Sequence, residues 1–250
     1  GDEIGMLARA LSDMTGALRL KIDAVESFAA DVAHEVKNPL ASLRSAIDTL
    51  GRVEDPALRR QLIDIAAHDV RRIDRLVSEI ADASRIDAEL SRTIYEPVDL
   101  TALLKGLAGE RAERSADGDC KVVLKTGGKR FLVHGDGARL ERVLVNLIDN
   151  AVSFSPPGGT IEVALSRADG KVRLSVSDEG PGIPPEAREK VFERFHSIRP
   201  EGEDFGSHSG LGLAIARTIV EAHDGTLTAH ERADGKPGAC LVAILPEMRP

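Results

Sequence analysis

The sequence predicts two domains of different class: a helical hairpin that pairs with a second copy into a four-helix bundle, then an α+β layer domain. Three observations carry this. The first 90 residues show apolar positions stepping by three or four and almost no strand signal. IYEPVDL, residues 94–100, ends that pattern, because Pro97 and the preceding Glu96 read as an extended linker. Beyond it, short β runs alternate with helical stretches, the pattern of a sheet with helices gathered on one side. Composition agrees: 250 residues suffice for one large or two small domains, and 42% hydrophobic with 30% charged residues is globular. Aromatics are 3% with no Trp, which removes the stacking platforms for single-stranded nucleic acid. A net charge of -8 also argues against nucleic acid and anionic membrane surfaces.

In the first helix Phe28, Val32, Val36, Leu40, Leu43, Ile47 and Leu50 form an apolar stripe that begins before Phe28 and fades at Gly51. GRVEDP then breaks the helix, and Pro56 suits the first position of the next one. Leu58, Leu62, Ile65, Val70, Ile73, Leu76, Val77 and Ile80 carry a second stripe that runs on to about Ala88. Two helices of ~30 residues would each be ~45 Å long, and a short loop makes them antiparallel. A lone hairpin has nowhere to bury two stripes, so a homodimer is expected. The alternative is that the hairpin packs on its own second half. Cys120 and Cys240 are far apart, lack a CxxC pattern and read as ordinary thiols. No stretch has the ~20 apolar residues of a membrane span, and no signal peptide precedes the abrupt start at GDEIGML. A fragment of something longer is expected.

In the second half, strands are expected at 120–124, 131–134, 160–166, 172–178, 226–230 and 240–245, with Asp169-Gly170 at a hairpin tip. Helices fit 100–114, 137–152 and 210–222. The helix around residue 145 has two clear faces. Leu140, Val143, Leu144, Leu147, Ile148, Ala151 and Val152 form the buried stripe, while Arg142, Asn146, Asn150 and Ser153 run down another face. Asn is a mediocre helix former, so two at i and i+4 suggest a task. An amide oxygen is a neutral hard ligand that suits Mg²⁺ beside phosphates. A solvated polar face would explain them equally well if nothing else accompanied them.

Two glycine-rich turns do accompany them. DEGPGI (178–183) follows a strand, and the Asp178 carboxylate could accept a hydrogen bond from an exocyclic amine such as that of adenine. GSHSGLGLAIA (206–216) opens a helix with Ser209 as N-cap, and Gly210 and Gly212 let backbone N–H groups approach phosphate. No Lys-Ser/Thr follows, so this is not a Walker A loop. Between the turns, residues 184–209 hold FERF and the polar EGEDFGSHS, which reads as a lid. Upstream, AHEVKNPL (33–40) places His34 before an acid, Glu35, with Asn38 one turn on and Pro39 next. A nucleophilic imidazole and an apparent nucleotide pocket in one chain suggest phosphoryl transfer to the protein's own histidine.

Taken together, AHEVKNPL resembles the H box of sensor histidine kinases, NLIDNA the N box, DEGPGI the G1 box, FERF the F box and GSHSGLGL the G2 box. All five stand in the family's order over about residues 25–225. The opening DEIGMLARALSDM resembles the last helix of a HAMP linker. FAADVAHEVKNPLASLRSAIDTL, FHSIRP and the lid resemble the ChvG-type envelope sensor kinases of alphaproteobacteria. The resemblance implies a HAMP remnant at 1–21, a dimerisation and phosphotransfer domain at 22–95, and a GHKL-type α/β sandwich ATP-binding domain at 96–250. It implies the cytoplasmic portion of a bacterial inner-membrane protein. ATP and Mg²⁺ are the implied ligands, and a response regulator the implied partner.

Residue by residue, the resemblance makes His34 the phospho-acceptor and Glu35 the group that takes the proton from the imidazole's other nitrogen. Asn38 would orient a water that dephosphorylates the regulator. Pro39 removes an N–H that would bond the Glu35 carbonyl, loosening the helix there. Asn150 would ligate Mg²⁺, Asn146 would be a second polar contact, and Asp178 would read the adenine amine. Gly180, Gly182, Gly210, Leu211 and Gly212 would shape the pocket, with Arg194 a candidate to meet the γ-phosphate. Ser153 departs from the family, which often has a cation there, and a lid residue such as Arg194 could substitute. His68, His134, His196, His208, His223 and His230 read as surface or satisfied histidines, although His196 and His208 could touch nucleotide. Two rival readings remain. An ATP-driven clamp of the gyrase, Hsp90 or MutL kind would need an acidic base where Asn146 stands. A silent scaffold would bind a regulator without phosphorylating it, and Mg-ATP binding separates that case.

Overall fold

The computed structural model describes residues 2–89, 95–114, 120–196 and 210–248. The chain divides into two compact units, residues 1–80 and 81–250. In the first, α1 (Asp2–Leu50) and α2 (Pro56–Glu89) form the expected hairpin. α1 is longer than the stripe alone requires and runs without interruption through Pro39. The turn is built as its sequence suggests. Asp55 accepts from the Ala57 N–H at 2.9 Å, capping α2 ahead of Pro56. Arg59 donates to the carbonyls of Leu50 and Val53 at 3.1 and 2.9 Å, covering groups that the end of α1 leaves open. The Arg72–Glu35 pair, 3.1 Å apart, fixes the antiparallel register further down.

Little of the hairpin's apolar surface is buried by the hairpin itself. Ala46 and Leu76 are buried, but Leu11, Leu18 and Val25 are exposed seven residues apart, as are Leu40 and Ile47, Leu58 and Ile65, and Ile63, Val70 and Val77. A seven-residue repeat keeps one seam on one side of a helix, the pattern of paired helices. Burying such a side chain is worth about 1.5–3 kcal/mol.

The second unit is a sheet under a layer of helices. Its elements are β1 (Glu96–Asp99), α3 (Leu100–Arg114), β2 (Lys121–Lys125), β3 (Leu132–Gly135), α4 (Gly137–Phe154), β4 (Thr160–Ala168), β5 (Lys171–Ser177), α5 (Gly212–Ala222), β6 (Thr226–Glu231) and β7 (Ala239–Pro246). The main sheet has the order β2-β4-β5-β7-β6, with β2 and β4 parallel and the other pairs antiparallel. Alternation along the strands makes its core face: Leu124, Val163, Val176, Leu241 and Ala229 lie opposite one another in one row. Leu140, Val143, Leu144, Leu147, Ile148 and Ala151 of α4 are buried, as the 3.6-residue period requires. Asp136 caps α4 by accepting from the Arg139 N–H at 3.2 Å.

Three sequence readings need correction. The extended segment at Glu96 and Pro97 is a strand, pairing antiparallel with β3; Pro97, which has no N–H to donate, sits opposite His134. The helix expected from 210 begins at Gly212, with Leu211 at its N-cap and no side-chain cap; Ser209 lies outside the described residues. The first part of the lid, 184–196, is packed. Ala187 and Phe192 are buried in two short 3₁₀ turns, Pro185–Ala187 and Lys190–Phe192. Arg217 holds them from α5, bonding Glu189 at 2.9 Å with its guanidinium carbon 5.3 Å from the centre of the Phe192 ring. The remaining lid, with His208, lies outside the described residues. His223, by contrast, is buried and satisfied: its Nε2 accepts from the Asp136 N–H and its Nδ1 donates to the Ile219 carbonyl.

The seam makes one expectation concrete. Ile47→Asp puts a carboxylate twice into a two-fold interface, and the dimer dissociation constant should rise about a hundredfold or more. Light scattering across a dilution series checks this, with melting of the second unit unchanged.

Candidate functional site

α1 carries His34 and Asn38 on one exposed face, a single helical turn apart, with Glu35 half-buried beside them. Pro39 is buried. Glu35 is engaged by Arg72 of α2. An exposed imidazole on a continuous helix can be reached by a second molecule, and a carboxylate sits next to it.

The second site is built around the end of β5. Asp178 is only 3% exposed, and its Oδ1 accepts from the N–H groups of Gly180 (2.9 Å) and Ala239 (3.0 Å). That arrangement leaves Oδ2 as the oxygen able to accept from a ligand. Burial pushes this carboxyl above its ordinary pKa; the two N–H bonds and the Arg232 charge pull the other way. The glycines here are dictated by space. A Cβ on Gly180 would stand 2.6 Å from the Phe154 carbonyl oxygen, and one on Gly238 2.0 Å from that of Asp178. Gly182 adopts φ +82°, which favours glycine.

α4 presents the amides. Asn146 and Asn150 are half-buried on the face facing away from the core stripe. The Asn146 Nδ2 is buried with no hydrogen-bond partner among the described residues. An orphaned buried amide costs about 1–3 kcal/mol, so it marks a place where a ligand atom belongs. Gly212 lies against it, with any Cβ 3.7 Å from the Asn146 Oδ1. Gly210 has φ +74° and accepts from the Phe195 N–H at 3.1 Å, tying the F-box segment to the start of α5. Leu211 is buried and Arg194 exposed. Among the described residues no group of three or more His, Cys, Asp or Glu could hold a metal. A cation here would need oxygens from a bound phosphate chain, with an amide such as Asn150 completing the set.

Two family profiles cover this chain. The His Kinase A (phospho-acceptor) domain matches residues 24–89, and the histidine kinase-, DNA gyrase B- and HSP90-like ATPase matches 135–249. The solved structure of a mycobacterial sensor histidine kinase, MprB, is 36% identical; the match covers all of it and 63% of this chain, with a TM-score of 0.54. The chain belongs to the sensor histidine kinases. As expected for such a kinase, similar curated proteins are the sensor protein ChvG of Agrobacterium fabrum, 49% identical over 93% of this chain, and ChvG of Rhizobium meliloti, 48% over 98%. The chain spans 40% and 44% of those relatives' lengths. A complex of the histidine kinase ThkA with the response regulator TrrA matches 92% of this chain and 64% of that one, at 25% identity and a TM-score of 0.72. No described helix of this histidine kinase is long and apolar enough to cross a membrane.

The sequence motifs thus fall into two groups: His34, Glu35 and Asn38 on α1, and Asn146, Asn150, Asp178, Gly180, Gly182, Gly210, Leu211 and Gly212 on the second unit, where Gly212 lies against Asn146 and Gly180 against Asp178. Sequence reasoning missed Arg232 and Ala239, which bond Asp178 from just after β6 and from the first residue of β7, and Gly238, whose backbone passes close to it. The Pro237-Gly238 pair ahead of an apolar strand was the one available signal.

A raised carboxyl pKa has a sign that can be measured. The native state holds its proton to higher pH than the unfolded chain, so stability falls as pH rises to the raised value and then levels off. Asp178→Asn should therefore raise the melting temperature of the ligand-free protein at neutral pH. The gain should vanish in acid, where both carboxyls are neutral; calorimetric scans against pH read this directly.

Proposed function

We propose that this chain transfers the γ-phosphoryl group of Mg-ATP to His34 and then to an aspartate of a response regulator. The observation that carries the reading is the presence, in one chain, of exposed His34 and Asn38 beside Glu35 and of a second unit with an orphaned Asn146 amide and a buried Asp178 carboxylate. In the first step an imidazole nitrogen of His34 forms a bond to Pγ, the bond from Pγ to the bridging oxygen breaks, and ADP leaves. Glu35 takes the proton from the other imidazole nitrogen. For this Glu35 must let go of Arg72. The phosphoryl group then passes to the regulator's carboxylate, freeing His34. Asn38 holds a water that attacks the resulting acyl phosphate, which gives phosphatase activity. The mycobacterial relatives named as kinase/phosphatase MprB, 32–35% identical, support that part.

In the ATP site so proposed, Asp178 Oδ2 accepts from the adenine amine, while Asn146 and the backbone of Gly210, Leu211 and Gly212 line the phosphate chain. Asn150 would supply an amide oxygen to Mg²⁺, whose charge would offset that of the phosphates. Gly180 and Gly182 keep the adenine side flat, and Arg194 meets the γ-phosphate in place of the cation missing at Ser153. We place a HAMP remnant at 1–21, the dimerisation and phosphotransfer domain at 22–95 and the ATP-binding domain at 96–250. The whole protein is then anchored in the inner membrane with this part facing the cytoplasm, and the ThkA–TrrA complex supports a regulator as partner. Asn146 is no general base, since an amide cannot deprotonate water, which disfavours an ATP-driven clamp.

Labelling with [γ-³²P]ATP and Mg²⁺ tests the reading. Native chain should take up acid-labile label and His34→Gln none; label persisting in the variant would sink the assignment. Asn150→Asp, which adds a charge to the ligand set, should shift the Mg²⁺ dependence of labelling. Asn150→Ala should lower the labelling rate about a hundredfold.

A further inference from the structure

Arg232 follows β6 and belongs to none of the five motifs. It is nonetheless 90% covered, with side-chain exposure of 10%. Its Nη1 donates to the main-chain carbonyl of Asp178 at 2.8 Å. Its Nε and Nη2 grip the two oxygens of Asp234 at 2.9 and 2.7 Å. Glu179 lies 3.9 Å from the same Nη1. The fork thus grips Asp234 with two parallel bonds and still reaches Asp178, a geometry that a lysine cannot copy. The hydrogen bond to Asp234 raises the Arg232 pKa further and holds the Asp234 carboxyl far below the usual range.

The turn that Arg232 braces also supplies the other side of the Asp178 site. Gly238, at φ +133°, runs so close to Asp178 that a Cβ would fall 2.0 Å from its carbonyl oxygen and 2.7 Å from Arg232 Cδ. The next residue, Ala239, donates one of the two N–H groups that hold Asp178 Oδ1. Arg232 thus acts on Asp178 from two directions, on its carbonyl directly and on its carboxylate through the strand that the turn delivers. Hydrogen bonds weaken steeply with misalignment, so a small rotation of this carboxylate would spoil its bond to a ring amine.

We propose that Arg232 is the positioning residue of the base-reading carboxylate, and that it sets this kinase's preference for a purine bearing a 6-amino group. This rests on the reading of Asp178 given above.

The test compares two nucleotides on the full chain by titration calorimetry: ATP, and purine riboside triphosphate, which lacks the 6-amino group. Arg232→Met should weaken ATP binding about tenfold and the analogue less than twofold. Arg232→Lys should fall between native and Arg232→Met. Adding Arg232→Met to Asp178→Asn should cost ATP nothing more, because both act on one hydrogen bond. An unchanged ATP-to-analogue ratio in Arg232→Met, with both affinities reduced or neither, overturns the proposal. If Arg232→Met shows no cooperative melting, Arg232→Lys decides on the same criterion. If Asp178→Asn itself leaves the ratio unchanged, the adenine reading fails and this inference with it. If Asp178→Asn collapses the ratio and the Arg232 variants do not, only the role of Arg232 is lost.

Discussion

One buried carboxylate organises the nucleotide half of this protein. Asp178 sits where β5 ends, and burial makes its charge expensive. The chain offsets that cost with backbone N–H groups from two directions, Gly180 just downstream and Ala239 on the neighbouring strand. Meeting both requires the β6–β7 connection to come against β5 with no side chain between, hence Gly238. It also requires the DEGPGI turn to fold back under Phe154, hence Gly180. The glycines are consequences of the carboxylate's hydrogen bonds rather than independent features.

The helical half obeys a different constraint. Its hairpin is too thin to bury its own stripes, so the exposed residues repeat at seven and wait for a second copy. The His34 face is left free of that demand, since His34 and Asn38 are polar and lie between seam positions. The same helix can therefore dimerise along one side and offer a nucleophile along another. Glu35 is shared between these roles, because its partner Arg72 comes from the opposite helix of the hairpin.

Most of the fold was legible because periodicity reports burial. The stripes of α1, α2 and α4 and the alternation in β4 and β5 appear in the sequence as plainly as in the structure. What escaped was set by tertiary contacts. β1 is four residues long and contains a proline, so nothing local marks it as a strand until β3 lies beside it. Residues 184–196 look polar and lid-like because Ala187 and Phe192 are their two buried anchors, too few to make a pattern. Asn146, Asn150 and Asp178 were legible through their motifs. Arg232 was not, since an arginine after a strand is ordinary until its fork is seen closed on Asp178 and Asp234.

The two rims of the main sheet differ from the seam on the helices. β2 ends the sheet on one side with exposed Lys121 and Lys125, and β6 ends it on the other with Thr226, Thr228 and His230, the last two bonded to each other. Lysines and polar side chains on an outer strand discourage another chain from adding to the ladder. The ATP-binding half is thus built to stay solitary while the hairpin is built to pair. Among the described residues, assembly is directed to the self-complementary seam of the hairpin, and such a surface closes after two copies instead of propagating into fibres.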